Sequence, residues 1–131
     1  MSNWYVKRLE QIEGEELYGA TIRRCLEKHE LPTVGADHVL IRKGSELKPH
    51  IHDGAESFLW VVSGSALLDI GSDSRKVTQN DFIYVPPGVA HGFRTPDEDV
   101  VLFSIQSPPI YPKDGHVDIR FPEDPPPERP R

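Results

Sequence analysis

One cysteine, Cys25, stands in the 131 residues, so the chain has no internal disulfide framework and a reducing compartment is expected. Cys25 itself reads as a small buried or half-buried hydrophobe. Positive charge is in the minority, 15 Lys and Arg against 21 Asp and Glu. That balance supplies no basic surface for nucleic acid or an anionic membrane. No apolar run reaches membrane-spanning length. The opening residues, MSNWYVKRLEQ, hold no apolar signal region, and a cytoplasmic location is expected. There is no nucleophilic serine motif, no phosphate loop and no dinucleotide fingerprint.

Helical periodicity is also scarce. Residues 15 to 30 are the one ambiguous run: Ile22, Cys25, Leu26 and His29 fit a helical stripe, whereas ATIRRCL fits a strand. Elsewhere short alternating or apolar segments recur between breakers: DHVLIRK, Leu47 to His52, Glu56 to Val62, SALLDI, Arg75 to Thr78, Phe82 to Val85, His91 to Thr95 and VVLFSIQ. Gly64 makes SALLDI the expected hairpin mate of the strand before it. Arg75 to Thr78, polar and short, suits an edge. Many short strands with little helix predict an all-β jelly roll or barrel. Six of the 13 prolines lie between Pro112 and Pro130, so a Pro-rich C-terminal tail, partly disordered, is expected.

The stretch from Gly44 to Gly64, GSELKPHIHDGAESFLWVVSG, carries the chemistry. His50 and His52 share a face only on a strand, where side chains alternate with period two. Glu56 follows closely, and this is a metal-site composition. Gly44, five residues, His50-Ile51-His52, three residues, Glu56 and then Gly64 resembles the first motif of the cupins. Their second motif is similar to Asn80, five residues, Pro86-Pro87-Gly88, two residues and His91. The resemblance spans residues 34–107 and implies a cupin barrel there, with residues 1–33 as an N-terminal segment packed on it and 108–131 as the Pro-rich extension. Because small cupins often begin with a strand ahead of the first motif, ATIRRCL is read as strand.

The resemblance implies one divalent metal ion (Fe, Mn, Ni, Cu or Zn) on His50, His52, Glu56 and His91. By parity, Phe58, Trp60 and Phe93 become expected pocket walls. There are three departures. Seven residues rather than six separate Glu56 from Gly64, so the usual glutamate register falls on Ser57. Either a bulge near Ala55 to Ser57 restores the aim of Glu56, or the site is three histidines and water. Asn80 replaces a glycine, a position where asparagine tolerates left-handed backbone. Thr95 stands at the motif's asparagine.

His29, His38 and His116 have no motif support and read as surface or interface residues. Arg42, Lys48 and Arg94 read as surface charges, and Asp97-Glu98-Asp99 as a solvated loop. No catalytic residue is assigned; Tyr84 and an unbound Glu56 are the general bases to look at first. The resemblance implies a small-molecule enzyme of dioxygenase, isomerase or lyase/decarboxylase chemistry, and a homodimer. The alternatives are a non-catalytic module that binds a small molecule or metal, and a structural barrel whose main surface is its dimer interface.

Overall fold

Alternation of β-branched and aromatic residues with polar ones drives ten short strands among the described residues, because a pleated strand sends successive side chains to opposite faces. The computed structural model describes residues 4–26, 33–111 and 117–124. In order the strands are β1 Gly14–Leu17, β2 Ala20–Arg24, β3 Gly35–Ile41, β4 Glu46–His50, β5 Glu56–Ser63, β6 Ser65–Ile70, β7 Asp73–Thr78, β8 Phe82–Val85, β9 His91–Arg94 and β10 Val100–Ser107. A single 3-10 turn, Leu9–Gln11, is the only helical element among the described residues. No described helix is long and apolar enough to cross a membrane.

Two antiparallel sheets face each other, one of six strands in the order β1-β2-β3-β10-β5-β8 and one of four in the order β4-β9-β6-β7. The ambiguous run resolves as strand where it is described: β2 pairs with both β1 and β3, through a Tyr18-Gly19 turn of positive φ. His29 lies outside the described residues, as do His116 and the tail from 125 to 131. Between the sheets sit Ile22, Val39, Ile41, Leu47, Leu59, Val61, Leu68, Val85, Phe93, Val100 and Leu102. Phe93 is 1 % exposed, and burying one such ring contributes about 2 kcal/mol.

β6 is not the hairpin mate of β5. β5 pairs with β10 and β8, and β6 pairs with β7 and β9 in the other sheet. Gly64 is therefore the corner at which the chain changes sheets. Its φ is +81°, and an added Cβ would stand 2.0 Å from the carbonyl oxygen of Asp99, so only glycine fits. β7 is an edge as expected, and β8 is one edge of the larger sheet, with β1 the other. Asn80 adopts φ 73° as its left-handed position requires. Thr95, 1 % exposed, has its hydroxyl 2.7 Å from the Arg42 carbonyl and 3.0 Å from that of Ser45. It ties the end of β9 to the turn between β3 and β4.

Candidate metal centre

His50 ends β4, His52 follows two residues later, and His91 opens β9. The pairing of β4 with β9 slips between Leu47 and His50, so that Lys48 and Pro49 together oppose Gly92. This bulge brings His50 directly opposite His91. Gly92 makes it possible: an added Cβ would lie 2.5 Å from the Leu47 carbonyl oxygen and 2.7 Å from the Pro49 nitrogen. The Pro86-Pro87-Gly88 turn is fastened to the first motif by the Gly88 N–H, which donates to the His52 carbonyl at 2.8 Å. The three rings pack with centroids 4.5 Å apart for His50 and His91, 4.9 Å for His50 and His52, and 5.1 Å for His52 and His91.

Every Nδ1 of this triad lies against a backbone carbonyl: Lys48 for His50 at 2.8 Å, Asp118 for His52 at 2.7 Å, and Val89 for His91 at 3.0 Å. A carbonyl only accepts, so each Nδ1 carries the proton and each neutral ring keeps its lone pair on Nε2. Ring nitrogens from the three residues fall within 4.8 Å of one another. Burial drives His50 down to about 4. Burial and then the neighbouring His50 drive His91 down to about 3. His52 is lowered by burial, against the pull of its Asp118 hydrogen bond. Three neutral imidazoles with converging lone pairs fit a divalent first-row metal.

The triad opens into a cavity of about 60 Å³. Its walls are chiefly apolar, including Ile22, Val39, Leu59, Phe93 and Leu102, and among the described residues no Lys or Arg lines it. Phe93 takes the predicted place. Glu56, Phe58 and Trp60 do not: along β5 the inward residues are Ser57, Leu59 and Val61. Glu56 faces outward and accepts a hydrogen bond from the Tyr84 hydroxyl at 3.0 Å, on an exposed surface. Phe58 and Trp60 pack on Phe82 across the same outer face, with centroids 6.5 and 6.4 Å apart. Glu56 and Tyr84 are thereby removed as bases for the cavity.

The reason is register. β5 pairs without a break from Glu56 to Val61 against β10, and its irregularity comes at Val62, beyond the site. No bulge re-aims Glu56, and Ser57 occupies the cavity side. Counted from His52 with four intervening residues, or from Gly64 with six, the family's glutamate position is Ser57. Arg94 is held by Asp69 in two 2.7 Å contacts, Arg42 lies 3.7 Å from Glu16, and Lys48 is exposed.

Two features were not assigned to the site from sequence. One is the segment 117–124: HVDIRF, residues 116–121, reads as a stretch lying back on the barrel, and its described part does so, running over the site. Ile51 and Arg120 form a bridge, Arg120 pairs with Asp53 at 2.8 Å, and Ile119 joins the cavity wall. The Asp118 carboxylate accepts from the backbone N–H groups of Asp53, Gly54 and Ala55 at 2.8, 3.0 and 2.9 Å. The other is a polar patch on the six-stranded sheet, Asp37, Ser57, Ser104 and Gln106, which also lines the cavity. Its signal was polar residues at inward positions of otherwise apolar alternating strands.

A barrel of two antiparallel sheets with a histidine triad in its cavity defines the class. A family model described as Cupin domain matches residues 37–106, and the chain belongs to the cupin family. It is 32% identical over 104 residues to an uncharacterized protein of Streptomyces coelicolor, covering 78% of this chain and 94% of that one. It is 26% identical over 121 residues to a protein of Streptomyces cyaneus named polyketide synthase CurC, covering 87% of this chain and 77% of the other. The fold is also similar to that of a predicted oxalate decarboxylase from Thermotoga maritima, with a TM-score of 0.71 at 15% identity, covering 79% of this chain and 98% of that one.

Proposed function

We propose that the chain is a mononuclear metalloenzyme acting on a small, uncharged, oxygenated substrate, with His50, His52 and His91 holding one divalent ion. The observation that carries this reading is the triad of Nδ1 hydrogen bonds, which turns three lone pairs into one enclosed space. A bound divalent ion supplies Lewis acidity to a carbonyl or enol oxygen. The chain's own part is to hold the substrate in a largely apolar cavity and exclude water from it.

The cavity lining favours a neutral ketone or enol over a phosphorylated sugar, since no cationic side chain among the described residues is there to pair with phosphate. The relative named as a polyketide synthase is consistent with that choice, because polyketides are chains of enolisable ketones. With Ser57 at the family's glutamate position and the three histidines the group whose ligand atoms converge, the protein would hold the metal by histidine alone.

Metal analysis of protein purified without added metal tests the reading. About one equivalent per chain is expected, with His91→Ala removing it. Wild-type protein that stays metal-free after incubation with iron, manganese, nickel, copper and zinc would defeat it. Oxygen consumption with diketones, catechols and keto acids then separates dioxygenase chemistry from isomerase or lyase chemistry.

A further inference from the structure

The inward residues of β10 change character along the strand: Val100 and Leu102 are apolar, while Ser104 and Gln106 are polar and buried. Ser104 is in register with Asp37 on β3 and with Leu59 on β5, and Gln106 with Ser57 on β5. The polar residues therefore gather at one end of the sheet, on the wall of the cavity that also holds the histidines.

Among the described residues Asp37 is the only carboxylate lining that cavity, and it is 6 % exposed. The Gln106 amide, 2 % exposed, donates to Asp37 Oδ2 at 3.1 Å and contacts Ser104 Oγ at 2.7 Å. A second pocket of about 30 Å³ lies on the far side, and Asp37, Gln106, Ile110 and Tyr111 line both. Arg24 lines this second pocket, lies 3.7 Å over the Tyr111 ring and sits 3.5 Å from Glu15. Among the described residues the ionisable groups around Asp37 are thus Arg24 at the end of β2, Cys25 just beyond it, Glu15 on β1 and Tyr111 beyond β10.

Among the described residues no ion pair holds Asp37, so its burial has no evident structural return. We propose that Asp37 is the proton-transferring residue of the cavity, taking a proton from the carbon beside a substrate carbonyl and returning it to the product. The inference rests on the metalloenzyme reading above. In the step, the C–H bond breaks and its electron pair moves into the enolate, with the charge on the carbonyl oxygen. The proton forms an O–H bond on the Asp37 carboxylate, and its later delivery to carbon or oxygen regenerates the carboxylate without any oxidant. Burial raises the Asp37 carboxyl to about 6, opposed by the Gln106 hydrogen bond and by Arg24 and assisted by Glu15. That places it where a general base works near neutrality.

The test uses zinc-loaded protein and cyclohexanone in deuterated water, with α-proton exchange followed by proton NMR. Wild-type protein should accelerate exchange, with a rate that rises through pH about 6. Asp37→Asn should bind the same zinc and melt as a folded protein, yet lose about 100-fold in rate and the pH dependence with it. In metal-free protein, infrared titration should show a carboxyl band with a midpoint near 6 that Asp37→Asn abolishes. Exchange by Asp37→Asn equal to wild type, zinc-loaded wild type that does not accelerate exchange, or absence of that band would each overturn the proposal while leaving the metal reading intact. Wild-type protein that binds no zinc or other divalent ion would instead overturn the metal reading, and the proposal with it.

Discussion

His52 donates its Nδ1 proton to the backbone carbonyl of Asp118, 2.7 Å away and 66 residues further along the chain. The same residue's carboxylate accepts three backbone N–H groups from Asp53 to Ala55, the turn that follows His52. A segment beyond the barrel strands therefore sets both the tautomer of one histidine and the path of the chain that leaves it. Asp118→Ala removes charge-assisted hydrogen bonds and leaves three turn N–H groups without their acceptor. The expected loss is about 2–3 kcal/mol of stability, read by urea denaturation. The backbone carbonyl that accepts from His52 survives this substitution, so metal affinity should weaken only as far as the loosened turn lets that carbonyl shift from the ring, by less than the roughly 10- to 100-fold typical of losing such a contact outright; a chelator competition titration measures it.

The triad also makes a prediction about which carboxylate matters. Glu56→Ala should leave metal content and affinity unchanged, because Glu56 faces outward to Tyr84. His50→Ala or His91→Ala should abolish binding, and with it the thermal stabilisation of about 4 kcal/mol that a ligand at 1,000 times its Kd provides. Ser57→Glu places a carboxylate on the cavity side. It should tighten metal binding while overpacking costs about 1–3 kcal/mol. Calorimetry with and without metal reads all four variants.

The parts of the fold that were legible follow from short-range rules. His50 and His52 share a site because strands alternate, and the Pro86-to-His91 spacing supplied the third histidine. The errors also have one source. Glu56, Phe58 and Trp60 lie on the same face of β5, so one misjudged register moved all three to the wrong side. Gly64 looked like a hairpin turn because its neighbours are strands. That it is a corner between sheets depends on the close approach of Asp99, 35 residues away in sequence. Asp37 and Gln106, 69 residues apart, form one cluster only through the pairing of β3 with β10. Asp118 offered no local pattern, since its role is to cap a turn remote in sequence.

The outer face of β5 and β8 gives a third prediction. Trp60, Val62, Phe82 and Tyr84 are 46 %, 44 %, 58 % and 47 % exposed, side by side on an edge of the sheet. A contiguous apolar face beside an unpaired edge favours association, and a homodimer through this face is the expected state. In sedimentation experiments the wild-type chain should run as a dimer and the Trp60→Lys, Phe82→Lys double variant as a monomer, and a monomeric wild type would refute the homodimer. The metal content should be unchanged, because neither residue lines the cavity. A double variant that remains dimeric would assign the interface elsewhere.

The last prediction concerns pH and stability. Asp37 titrates at about 6 in the folded chain, against about 4 when unfolded. A carboxyl raised on folding contributes stability that is complete below the unfolded value and is lost as pH rises through the folded one. The window is therefore pH 4 to 6, and a shift of about two units corresponds to about 3 kcal/mol. The buried histidines act in the opposite sense. His50 and His91 are lowered to about 4 and about 3, so their contribution is present above about 6.5 and is lost as pH falls. A wild-type stability curve mixes the two trends, whereas the difference between Asp37→Asn and wild type isolates one. That difference should favour the variant by about 3 kcal/mol more at pH 7 than at pH 4, in urea midpoints measured across the range. A difference that stays constant with pH would mean that Asp37 is ionised in the folded chain at its ordinary value, and that its burial costs nothing.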